Sequence, residues 1–178
     1  MTQYWFTSDE HYDHDKVIKY SNRPFDSIED MDRCLIANHN NIVKDQDVTI
    51  HAGDFCWLNK KEDVYKKYVS KLKGNHVMLV GSHDHWLPSS AHYVWRKRID
   101  GNLIVVCHYA MRTWECSHYN SWQLYGHSHG NLPPIGKQHD IGVDNNNYCP
   151  VSFIQVATIM AGRPDNPNYI KYAERGCK

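Results

Sequence analysis

Five short apolar runs in this chain each stop at residues able to bind a metal ion. Gln3 to Thr7 is followed by Asp9 and His11, and Asp47 to Ala52 by Gly53-Asp54. Val77 to Val80 is followed by Gly81-Ser82-His83-Asp84, and Leu103 to Cys107 by His108. The run closed by Tyr125 is followed by Gly126-His127-Ser128-His129. Short runs rich in β-branched and aromatic residues read as strands, and wholly apolar ones suit a sheet covered on both faces. Each stop has a bland account by itself: an aspartate capping a helix, a Gly-Asp loop pair, an exposed histidine. Their recurrence after five strands is harder to dismiss, because open α/β sheets place their sites beyond the carboxyl ends of strands.

Between these runs lie helix signals. Ser27-Ile28-Glu29-Asp30 resembles a capping-box start, and Ile28, Met31, Leu35 and Ile42 follow near a 3.6-residue period. Lys60 to Lys73 is a lysine-rich helix with Val64, Tyr65, Tyr68 and Leu72 on its apolar face and Gly74 past its end. Asp140 to Asp144 gives a further short strand with Gly142 inside it. Ser152 and Gln155 form a second capping-box pattern ahead of Phe153, Val156, Ala157 and Met160 on one helical face. The pattern predicts one domain over residues 1–162, with 163–178 as an extended, loosely attached tail.

Composition narrows the function classes. Formal charge is zero, which argues against a broad surface for duplex nucleic acid. No apolar run reaches the length of a membrane span, and Met1-Thr2-Gln3-Tyr4-Trp5 lacks the regions of a signal peptide. The six cysteines have no C-x-x-C spacing and read as reduced thiols in a cytosol. Thirteen histidines exceed what packing requires. Nothing in the chain indicates an oligomeric state.

Taken in order, Asp9-Glu10-His11, Gly53-Asp54, Gly81-Ser82-His83-Asp84, His108 and Gly126-His127-Ser128-His129 resemble the motifs of the calcineurin-like metallophosphoesterases, D-x-H, G-D, G-N-H-D/E, H and G-H-x-H. The likeness is to their small single-domain phage and bacterial branch and runs from about Thr7 to Gly162. Ser21-Asn22-Arg23-Pro24-Phe25, Trp114, Gly142-Val143-Asp144 and Pro150-Val151-Ser152 resemble that branch too. One position departs from it: Ser82 stands where the family has an asparagine that ligates the second metal.

The resemblance implies an α/β sandwich of two mixed β-sheets flanked by helices. It also implies a binuclear phosphoesterase that cleaves a phosphate mono- or diester with metal-activated water. Asp9, His11, Asp54 and His129 would surround one divalent ion. Asp54 would bridge to a second, held also by His108, His127 and Ser82. Mixed imidazole and carboxylate ligands suit Mn, Fe, Zn or Ni better than Ca. His83 would be the general acid for the leaving oxygen or a cation stabilising the phosphorane-like charge, with Asp84 orienting its imidazole or acting as an ordinary helix cap. His14, Arg23 and Arg112 are candidates for binding phosphate. The expected substrate is a small phosphorylated molecule or nucleotide, whose base could stack near Trp86, Trp95 or Trp114 unless those rings pack the core. The rival reading is a scaffold that kept the fold and, with Ser82, began to lose the chemistry.

Overall fold

The computed structural model describes residues 2–171. Two four-stranded mixed sheets face one another, as expected. The first runs β3-β2-β1-β8, from Asn75–Met78, Val48–His51, Tyr4–Thr7 and Val151–Ser152. The second runs β4-β5-β6-β7, from Val94–Ile99, Asn102–Cys107, Trp122–Tyr125 and Gln138–Asp140. In each sheet three strands are parallel and one edge strand, β8 or β4, is antiparallel.

Phe6 and Ile50 of the first sheet meet Ile104, Val106 and Leu124 of the second in a shared core, closed by Val156 and Met160. These last two belong to helix α4, Phe153–Ala161. Its start follows from sequence: Gln155 N–H donates to Ser152 Oγ and Ser152 N–H to Gln155 Oε1, the reciprocal bonds of a capping box. A second cluster covers the outer face of the first sheet. There Met31 and Leu35 of α2, Ile28–Ile42, and Val64 of α3, Lys61–Lys67, pack with Phe55, Tyr68 and Trp86. Ser27 caps α2 by accepting Asp30 N–H, but Asp30 turns its carboxylate to Arg33, so only half of that box forms.

Several boundaries move. The lysine-rich helix breaks at Tyr68 and continues as a 3-10 turn, Val69–Lys71, because the Tyr68 ring is buried against Tyr12 and its hydroxyl donates to Asp32 at 2.7 Å. Strand β3 begins at Asn75, where its N–H donates to Asp47 O, so the apolar run starts two residues late. The expected strand from Asp140 to Asp144 ends at Asp140, whose carboxylate accepts Gly142 N–H and turns the chain into a 3-10 segment, Val143–Asn145. Strand β4 has no apolar run to announce it, since exposed Arg96 and Arg98 occupy an edge. Helix α1, Asp15–Tyr20, is too short to show a period.

The segment after Gly162 is not loosely attached where it is described. Asn166 is buried, donates to Ser117 O and Ser121 O, and accepts Lys137 N–H. Cys34, Cys56, Cys107, Cys116 and Cys149 are free thiols, and Cys177 lies outside the described residues. No helix among those residues is long and apolar enough to cross a membrane.

Candidate metal centre

The ends of β1, β2, β3, β5 and β6 converge because glycines let their loops touch. A Cβ on Gly126 would stand 2.0 Å from Ser8 Oγ and 2.4 Å from Asp9 Oδ2, and one on Gly81 would stand 2.3 Å from Asp54 N. The residues these loops present are conformationally unusual. Asp9 (φ 60°), His11 (54°), Asp54 (53°), His127 (68°) and His129 (44°) all occupy the left-handed region. Side chains rarely stay there unless the surroundings over-determine it, and such residues cluster at functional sites.

Two groups of metal-type side chains result: Asp9, His11 and His129, and Asp54, His108 and His127. Within each group the ligand atoms lie within 4.8 Å of one another. Asp54 of the second group also faces the first, its Oδ2 3.7 Å from His11 Nε2 and 3.4 Å from His108 Nε2. Both of those imidazole nitrogens are buried and lack a hydrogen-bond partner. Buried polar atoms are nearly always paired, so two orphans aimed at one carboxylate are what a cation between them would explain. The donor set suits a divalent transition ion at each group.

The Nδ1 atoms of His108, His129 and His11 meet partners outside the two groups. His108 Nδ1–H donates to Ala52 O at 3.0 Å, and His129 Nδ1–H donates to Asp144 Oδ2 at 2.7 Å. His11 Nδ1 lies 3.3 Å from His14 Nδ1. Such contacts fix the tautomer and turn Nε2 toward the centre. Asp9 accepts His127 N–H on both oxygens. Burial pushes Asp9 up to about 7 despite the nearby His108 and His129. It would raise Asp54 too, but the close approach and charge of His108, with help from His11, hold that carboxyl well below the usual range. Burial pulls His11 down to about 2.

His83 borders the same cleft. Its Nε2 is 3.9 Å from Asp54 Oδ2 and its N–H donates to Asp54 Oδ1 at 2.9 Å. The Ser82 hydroxyl reaches both Asp54 oxygens, at 2.9 and 3.2 Å. His14 lines the cleft as well, along with His11 and His129.

Two expected roles are overturned. Asp84 does not orient His83: it is buried and accepts from the N–H groups of Asp54, Phe55 and Gly81 and from Trp86 Nε1. Arg23 is not available to phosphate. Its five N–H bonds go to both Asp144 oxygens, Asp9 O, Glu10 O and Met31 Sδ. It therefore holds the loop of Asp9 and, through Asp144, the ring of His129. Arg112 is exposed in the loop after β5, four residues past His108. Trp86, Trp95 and Trp114 all pack: Trp86 and Trp114 are buried, and Trp95 rests on Tyr4 and Phe6.

No family model matches this chain. It is 29% identical over 167 residues to the uncharacterized protein MJ1445 of Methanocaldococcus jannaschii, covering 90% of this chain and 92% of that protein. The crystal structure of AQ665, a protein of unknown function from Aquifex aeolicus, shares the fold. Its TM-score is 0.71 at 19% identity, over 89% of this chain and 100% of that one. A Streptococcus pneumoniae protein described as a predicted phosphoesterase aligns at a TM-score of 0.40 and 14% identity, over 79% of this chain and 71% of that one. A likeness that slight carries no weight.

Two features had little sequence signal. The role of Asp144 depends on a contact across more than a hundred residues. Behind the site, Glu10 Oε1 lies 2.7 Å from His51 Nδ1, and His51 Nε2 lies 3.0 Å from His76 Nδ1, with His39 stacked alongside. Burial pulls His51 down to about 3 and His39 and His76 to about 4, and pushes Glu10 up to about 7. Burial thus disfavours the charged form of all three histidines, of which His39 and His51 are buried and His76 half-buried.

Proposed function

We propose that the chain is a binuclear metal-dependent phosphoesterase that hydrolyses a phosphate mono- or diester. The observation that carries this reading is the Asp54 carboxylate, a member of one three-residue ligand group, facing His11 of the other, with His83 on the open side. Two divalent ions, when bound, would supply an activated water and neutralise charge on the phosphate. Asp9, His11 and His129 would hold one, His108 and His127 the other, and Asp54 both. Ser82 steadies Asp54 through its hydroxyl.

His83 has the freedom its role requires. Its side chain is 36% exposed, whereas that of Asp54 is 3% exposed. Its backbone is tied to Asp54, so the imidazole faces the cleft from a fixed base. From there it donates a proton to the departing oxygen. His14 completes the wall, and its Nδ1 faces His11 rather than an incoming anion.

The test is turnover of 4-nitrophenyl phosphate and bis(4-nitrophenyl) phosphate after chelation and after adding back Mn²⁺, Zn²⁺ or Ni²⁺. Activity should vanish with chelator and return with these ions more readily than with Ca²⁺. His83→Ala should keep its metal and lose about 10²–10⁴-fold in rate, the usual share of a general acid. Activity undiminished in chelator would end the proposal. Two bound metals with no turnover of either ester would favour the scaffold reading.

A further inference from the structure

Trp57 is an exposed tryptophan beside the candidate centre. Its side of the cleft is set by the loop after β2, where Trp57 N–H donates to Tyr12 O at 2.9 Å. One face of the indole lies flat on His14, at 4.0 Å between ring centroids and 16° between planes. His83 stands 4.7 Å away at 48°. Even with these contacts the residue is 46% exposed. Such a ring is pre-organised: the loop and His14 fix its plane, and part of its apolar surface remains open to solvent at the mouth of the site.

The neighbouring cleft has a volume of about 430 Å³, and Tyr20, 76% exposed, stands on its wall. His83 separates Trp57 from Asp54. A planar group resting on Trp57 would therefore stand off from the reacting phosphorus, with His83 between them, and needs a spacer such as a pentose to reach it.

We propose that Trp57 is a stacking platform for a nucleobase, so that the preferred phosphoester is that of a nucleoside. This rests on the phosphoesterase reading for the position of phosphorus. Every base presents a flat π-face, so the platform selects nucleosides as a class rather than one base.

The experiment compares adenosine 5′-monophosphate with ribose 5-phosphate, which lacks only the base. Both are titrated into metal-free protein by amide chemical-shift perturbation, with saturation transfer to the adenine protons, and both are assayed for phosphate release with Mn²⁺. The nucleotide should bind about 5- to 150-fold more tightly, the range for one base–aromatic stack. In Trp57→Leu that ratio should fall to within about two-fold of unity, and Trp57→Phe should keep part of it. Equal affinities in the unaltered protein, or a ratio untouched by Trp57→Leu, overturn the platform. Hydrolysis of both compounds at equal affinity would do so while leaving the phosphoesterase reading intact. A persistent affinity ratio without hydrolysis of either would leave the platform standing and remove the monoesterase form of that reading, and absence of bis(4-nitrophenyl) phosphate turnover as well would remove its diesterase form.

Discussion

The carboxylate of Asp84 accepts the backbone N–H of Asp54 at 2.7 Å, and so pins the residue at the middle of the candidate centre. Its other donors are Phe55 N, Gly81 N and Trp86 Nε1, which together lock two strand-end loops. Asp84→Asn replaces one acceptor oxygen by a donor and leaves buried N–H groups facing it. Stability should fall by about 2–4 kcal/mol, from one or two unsatisfied donors. Urea denaturation of the metal-free protein measures this. Unchanged stability, with loss confined to the pH profile of turnover, would return Asp84 to the role of orienting His83.

Arg23→Lys should act on metal affinity. Lysine keeps the charge but cannot span Asp144, Asp9 O and Glu10 O at once. Releasing His129 should weaken its ion about 10–100-fold, the usual effect of losing an outer partner. Calorimetric Zn²⁺ titration gives the answer. A raised KM with metal affinity intact would mean that Arg23 binds substrate after all.

Ser82→Asn tests the departure from the family pattern. The amide oxygen reaches further than the hydroxyl now donating to Asp54 and is a good neutral ligand. The second site, with His108 and His127, should tighten, while the site of Asp9, His11 and His129 should change little. Metal titration and rates at limiting Mn²⁺ are measured together. If neither moves, Ser82 is not beside the second ion.

His39 gives a pH prediction with a defined sign. Burial holds its folded value at about 4, below the ordinary 6.5. The unfolded chain therefore binds a proton that the native state refuses. Stability from this histidine is complete above pH 6.5 and is lost as pH falls toward 4. Glu10, raised to about 7, acts in the opposite direction, so the comparison must be with a single variant. His39→Gln can still donate to Lys73 O, which accepts His39 Nε2–H at 2.9 Å. Between pH 6.5 and 5 the wild type should lose about 2 kcal/mol relative to this variant. Parallel profiles in denaturant would refute it.

How much of this was legible in the sequence depended on the range of the cause. Strand ends bearing Asp9, Asp54, His108 and His127 announced themselves through local apolar runs, and the α4 cap through three adjacent residues. Arg23 reads as a phosphate-binding candidate because its partner Asp144 is 121 residues away. Asp84 follows His83 directly, yet its side chain turns toward β2. Strand β4 was hidden by the very arginines that suit an exposed edge, where charge discourages pairing with another sheet. Trp57 carried no pattern, since exposure is a property of the fold.

Each ligand group draws on both sheets. Asp9 and His11 follow β1 while His129 follows β6, and Asp54 follows β2 while His108 and His127 follow β5 and β6. A bound ion is therefore a crosslink between the two halves of the sandwich, closing its seam at one end. Pulling the sheets apart would first require breaking coordination bonds. Loading should thus merge any separate opening of the halves into one event, with the slowest hydrogen exchange shifting to amides along β1 and β5.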